Sequence, residues 1–178
     1  GFPLQAMLRA NGEESSGRLE HVLAAAVGRT RWMAGHITCA VLGTLALLLI
    51  LGAFAGISDG LATGDPATRL VTLSGAALVP APATLALTGA AIAVIGLLPR
   101  NAGALVWAGL TVAILIGPIG EILNLPNAVR NLSPFTHVPP APAADIPATP
   151  LLALIAIAAV LTTAGLIRFA RRDLTLPA

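Results

Sequence analysis

His36 and Cys39 stand three residues apart, a spacing that puts both side chains on one helix face, and imidazole with thiol is the chain's simplest metal-competent pair. Nothing in the sequence completes it. Cys39 is the one cysteine, and the two further histidines are His21 and His137. The topology read below puts His21 and His36 on one side of a membrane and His137 on the other, so the three cannot converge on one ion. We therefore expect no metal, and read His36 as an interfacial histidine beside a small packing cysteine. There is no His-Glu-x-x-His, no paired cysteine motif and no Gly-x-Ser-x-Gly, so no catalytic residue is assigned and the chain is not expected to be an enzyme. All ten basic residues are arginines. Without a lysine the chain cannot build a phosphate-binding P-loop, and no cofactor is expected.

Two groups of polar or helix-breaking residues remain. Glu13, Glu14, Arg18, Glu20 and Arg29 flank an apolar stripe in which Leu19, Val22, Leu23, Ala26 and Val27 recur at helical spacing. Asn11 and Glu14 have the spacing of a capping box at its start. Such a helix lies along a membrane surface or against a partner. Pro80 and Pro82 lie deep in an apolar run, where each removes a backbone donor and breaks or kinks a helix. In lipid the freed carbonyls must be covered by protein or line a water-filled path. A kinked packing helix is the plainer reading, and a substrate path the sharper one. Glu121 is the carboxylate nearest a span end, and we read it as a solvated helix terminus. No ionisable group lies within a span, which disfavours ion-coupled transport. Asn131-Leu132-Ser133 matches a glycosylation acceptor, a short pattern with many chance matches.

The elements that carry these residues are set by hydropathy. Ile37–Ile57, Leu70–Leu98, Ala102–Ile119 and Ile146–Ile167 contain no Asp, Glu, Lys, Arg or His. A hydrocarbon core of about 30 Å needs about 20 helical residues, and each run approaches or exceeds that. Hydrophobic residues make up 56% of the 178, charged residues 10%, and the mean hydropathy is +0.88. The class is therefore all-α: an integral membrane bundle of four spans, at about 37–57, 70–98, 102–119 and 148–169, behind a cytoplasmic amphipathic helix. Residues 1–35 form the polar segment and 36–178 the transmembrane domain. The sequence pI of about 10.0 would admit nucleic acid, but the net charge is only +2, the arginines are dispersed, and there is no Tyr and 3% aromatics for stacking.

Arginine placement orients the bundle. With residues 1–35 inside, Arg9, Arg18, Arg29, Arg31, Arg100, Arg168, Arg171 and Arg172 are internal, and Arg69 and Arg130 external. Both ends are then cytoplasmic. Pro99-Arg100-Asn101 makes a tight inner turn. The outer segment 121–149 is rich in proline and is expected to rest extended on the surface, with room for a short interfacial helix around Ile119–Val129. Gly52-x-x-x-Gly56 allows close helix contact, though such spacing is common in an Ala- and Gly-rich chain. Gly1 in place of Met is expected to be an internal position of a longer protein.

The run from Glu13-Glu14 through Gly17-Arg18-Leu19-Glu20, Val22-Leu23, Arg29 and Trp32 resembles a stretch of ABC-2-type exporter permeases. It is most similar to the actinobacterial polyketide-antibiotic, or tetronasin-type, branch. Asn131-Leu132-Ser133-Pro134-Phe135-Thr136-His137-Val138-Pro139 resembles that branch's outer loop, Leu98-Pro99-Arg100 its inner turn, and Arg171-Arg172-Asp173-Leu174 its carboxyl end. Ala141-Pro142-Ala143-Ala144 departs from it where a glycine-containing turn is expected. The resemblance implies the carboxyl-terminal portion of a longer multi-pass permease in a bacterial plasma membrane. It also implies that Glu13, Glu14, Gly17, Arg18, Leu19, Glu20, Val22, Leu23 and Arg29 couple to a separate ABC ATPase, which binds the ATP. The other implied partners are further permease helices or a second copy, the lipid, and a hydrophobic cargo such as a polyketide antibiotic. An alternative from another class is a non-transporting anchor that recruits a cytoplasmic partner through the same helix.

Overall fold

The computed structural model describes residues 2–6, 8, 29–98, 101–142 and 147–170. Every regular element among them is helical. The first long helix, α1 (Arg29–Thr63), has 35 residues, or about 52 Å at 1.5 Å per residue. It overshoots its apolar run at both ends. It stops where Gly64 takes φ +80, a left-handed conformation open to glycine. Asp65 then caps α2 (Pro66–Leu78) by accepting from the Thr68 N–H at 3.3 Å, with Pro66 in the first turn. The result is a tight antiparallel hairpin.

Glycine makes the hairpin close. A Cβ on Gly52 would lie 2.7 Å from the Ser74 Cα, and one on Gly56 2.6 Å from the Leu70 Cα. Gly60 meets Pro66 in the same way. Without side chains at these positions the two backbones touch, which is how helices gain dispersion energy where lipid removes the hydrophobic drive. Arg69 and Asp59 add an ion pair at 3.3 Å near the turn.

Helix α2 gives way at Val79–Pro80 to α3 (Ala81–Leu97), whose buried residues include Ala83, Ala86, Thr88, Ile92 and Ile95. Its partner is α5 (Ala148–Ala170), and glycine again sets the approach. A Cβ on Gly96 would meet the Gly165 carbonyl oxygen at 2.6 Å, and one on Gly165 the Ile92 carbonyl at 2.7 Å. The proline break thus transfers one membrane-length segment from α1 to α5. Half of the most apolar window of Pro66–Leu97 is buried within the chain, against 17% for α1 and for α5. α3 is therefore the centre, and the outer faces of α1 and α5 (Leu51, Phe54, Leu152, Val160) are left for lipid or further protein.

Helix α4 (Ala102–Ile114) has 13 residues, shorter than the predicted third span. It continues through a five-residue π turn, Leu115–Ile119, and a three-residue α turn, Gly120–Ile122. Three helical segments, Arg31–Thr63, Pro66–Leu97 and Ala148–Ala170, are each long and apolar enough to cross a membrane. The fourth depends on its π extension. The proline-rich segment beyond it differs from the extended loop expected of it. It folds back through Asn127–Arg130 and a 3₁₀ turn, Pro134–His137. The interfacial helix anticipated at Ile119–Val129 is split in two by a turn through Asn124, which takes φ 50.

Candidate functional site

Most of the sequence-predicted coupling residues, Glu13, Glu14, Gly17, Arg18, Leu19, Glu20, Val22 and Leu23, lie outside the described residues, as do Arg100, Arg171, Arg172 and His21. Arg29 is the first residue of α1. From there the helix runs without interruption to Thr63. Met33 and Phe169, 1% and 3% exposed, pack together with Trp32, Ile37 and Leu166. That contact ties the start of α1 to the end of α5.

Pro80 and Pro82 sit at the joint between the two helix pairs. Val79 donates to the Ala76 carbonyl at 3.2 Å, and the Thr84 N–H donates to the Pro80 carbonyl at 3.1 Å. The Thr84 hydroxyl donates to the Ala81 carbonyl at 2.7 Å, and Thr88 repeats the device on Thr84 at 2.8 Å. Val79, Ala81 and Ala83 are buried around the break. Phe135 and Val138 of the outer segment pack on the cluster of Ala83, Ala86, Leu154 and Ala158. Protein therefore covers this side of the interruption.

Ser133, read from sequence within an acceptor pattern and within the outer-loop resemblance, turns out to be 1% exposed. Its hydroxyl donates to the Ala113 carbonyl at 2.7 Å and accepts from the Phe135 N–H at 3.3 Å. The need for it is local. Pro118 lies in the π turn, and at π spacing the donor to Ala113 would be the N–H that proline lacks. Gly117 leaves room for the hydroxyl, since a Cβ there would come within 2.7 Å of its oxygen. Thr136 then closes the turn on the Ser133 and Arg130 carbonyls, at 2.7 and 3.0 Å. His137 Nδ1 lies 3.2 Å from the Ser133 carbonyl. The one available signal was Pro118 inside an apolar run, which demands a donor from elsewhere.

His36 and Cys39 open onto a groove of about 1190 Å3 at the opposite end of the bundle from the Ser133 contact. Its wall combines Phe2 from the first described turn, Trp32 from α1 and Trp107 from α4, with Arg31 beside them. The Trp32 and His36 rings are 4.4 Å apart and tilted by 50°, and His36 Nδ1 is 3.2 Å from the Trp32 carbonyl oxygen. Among the described residues no three His, Cys, Asp or Glu side chains come together. Sequence reasoning missed the groove because Trp32 and Trp107 are far apart along the chain.

Comparison with known proteins matches residues 1–170 to the family described as "Multidrug efflux system permease Rv1217c, C-terminal domain". The multidrug efflux system permease protein Rv1217c of Mycobacterium tuberculosis (strain ATCC 25618 / H37Rv) is 38% identical over 172 residues. The alignment takes in 97% of this chain and 31% of that protein, so the chain spans about a third of its relative's length.

Proposed function

The chain belongs to the family of the Rv1217c-type permease carboxyl-terminal domain, and from that premise we propose that it is the force-receiving membrane portion of an ATP-driven ABC exporter permease for hydrophobic compounds. Its relative is a multidrug efflux permease, and polyketide antibiotics are the cargo class that the motif resemblance favours. The observation that carries the reading is the continuity of α1 from Arg29 to Thr63. Nucleotide-driven closure of a separate ABC ATPase would push on residues 13–29. The rigid helix would pass the displacement to α2 through Gly52, Gly56 and Gly60, and to α5 through Met33 and Phe169. ATP biases the two arrangements only by binding one of them more tightly.

In this reading both ends of the chain face the cytoplasm, which the arginine asymmetry supports, and the outer faces of α1 and α5 meet lipid or further permease helices. The broken helix at Pro80 and Pro82 is the pivot between the two helix pairs and adjoins the cargo path. The test is reversal of charge at Arg18 and Glu20 together in a reconstituted permease–ATPase pair. Loss of cargo-stimulated ATP hydrolysis with normal membrane insertion is expected. Undiminished export by that variant would overturn the coupling role. Insertion and ATPase recruitment without any cargo movement by the unaltered protein would favour an anchor instead.

A further inference from the structure

The groove at the start of α1 and α4 has a chemistry that the proposed function does not specify. The chain has two Trp, four Phe and no Tyr, yet both indoles and one phenyl ring line this single opening. The accessible volume of about 1190 Å3 is at or above the range of roughly 300–1,000 Å3 that holds drug-sized ligands. Among the described residues the one formally charged lining residue is Arg31, with His36 five positions along the same helix and no carboxylate in the lining. Asp59, on α1 itself, is 28 residues beyond Arg31, or about 42 Å along the rod.

Tryptophan is common at membrane interfaces as a belt residue whose ring faces the headgroups. The geometry here is different. Trp32 is half-buried, its ring lies against His36, and Trp107 comes from another helix to line the same space. Indole faces reward a flat ring system and add little for a flexible acyl chain. A guanidinium recognises a carboxylate or sulfonate by charge-assisted, forked hydrogen bonds.

We propose that this groove is a binding site for amphipathic organic anions, with a flat ring-bearing body held by Trp32, Trp107 and Phe2 and an acidic head held by Arg31. The site rests on the exporter reading only for its biological use: it is where such a cargo is taken up beside the helix that receives force. It commits to a ring-bearing small molecule rather than to a lipid headgroup.

The test uses the full-length permease in phosphatidylcholine nanodiscs, without ATPase, with empty discs subtracted. The two probes share one body and differ in charge: 8-anilinonaphthalene-1-sulfonate and neutral N-phenyl-1-naphthylamine. Energy transfer from tryptophan reports binding. We expect saturable binding of the sulfonate at least about tenfold tighter than that of the neutral probe, a ratio that Arg31→Gln erases by weakening the sulfonate alone. Trp107→Leu weakens both probes, and Trp107→Phe restores most of the loss, which separates a lost ring from a misfolded helix. Equal affinities for the two probes, or an unchanged ratio in Arg31→Gln, would overturn the proposal. So would displacement of the sulfonate by a few per cent of phosphatidylglycerol in the discs, because the site would then be one for lipid. Because binding is read without nucleotide, selective binding with no ATP-driven transport would sink the exporter reading alone. Transport with no selective binding would sink the groove alone.

Discussion

Two proline-driven interruptions divide the helices of this chain, and they are repaired by different means. At Val79–Pro80 the Ala76 carbonyl, whose helical donor would be the N–H that Pro80 lacks, accepts instead from the nearby Val79 N–H at 3.2 Å. At Leu115–Ile119 the donor is the Ser133 hydroxyl, 20 residues from the Ala113 carbonyl that receives it. A break closed by its own turn needs no distant contact to hold it. A break closed by a distant loop holds only while that loop is docked. The first interruption hands the segment from α1 to α5. The second makes the length of the fourth apolar helix depend on the outer segment. Phe135 and Val138 reach from that segment to Ala83 and Ala86 beside the first interruption, so one loop meets both.

The largest effect should come from blocking what the first break delivers. Gly165→Val would drive a side chain into the Ile92 backbone, 2.7 Å from where its Cβ must sit. Backbone cannot swing aside as a side-chain tip can, so a loss of about 3 kcal/mol or more is expected. Thermal unfolding of the full-length permease in detergent measures it, with Gly109→Ala as a control because open space surrounds that glycine. A Gly165→Val protein as stable as the control would mean that α3 and α5 do not pack as described.

Next in size is the distant repair. Ser133→Ala removes the donor without adding bulk, and should cost about 1–3 kcal/mol. Made in a Pro118→Ala background, where a backbone N–H returns, the same change should cost less by about 1 kcal/mol, the coupling expected of two groups serving one carbonyl. Equal costs in both backgrounds would show that the hydroxyl does not stand in for the missing amide. Smallest should be Thr84→Val, at about 0.5–1 kcal/mol. There the backbone bond from Thr84 to Pro80 survives. A loss larger than that of Ser133→Ala would mean that the Thr84 hydroxyl holds more of the fold than the distant Ser133 contact does.

Parts of this structure could be read before any coordinates. The four apolar runs appear as helices, but the turn between α1 and α2 at Gly64, Asp65 and Pro66 is much shorter than the gap between the first two runs, because both helices extend past their apolar stretches. Gly52 and Gly56 were visible as a spacing, but their partners, Ser74 and Leu70, were not, because spacing on one helix does not name the face it meets. The outer segment misled for a related reason. Proline density forbids a long helix but says nothing against short turns, and Ser133 and Thr136 supply the bonds that let the segment fold back. The aromatic groove was invisible because it joins Phe2, Trp32 and Trp107 from three separate elements.

What the sequence by itself determined was the solvent and the class of the molecule. Runs of about 20 residues without charge partition into hydrocarbon as helices whatever else they touch, because each helix satisfies its own backbone. The tertiary structure decided which helix lies against which, where the broken segment changes partners, and which hydroxyl completes the π turn. Those outcomes require two surfaces to match at contact distance, as Gly96 and Gly165 do, and a match between distant segments is a property of the folded chain.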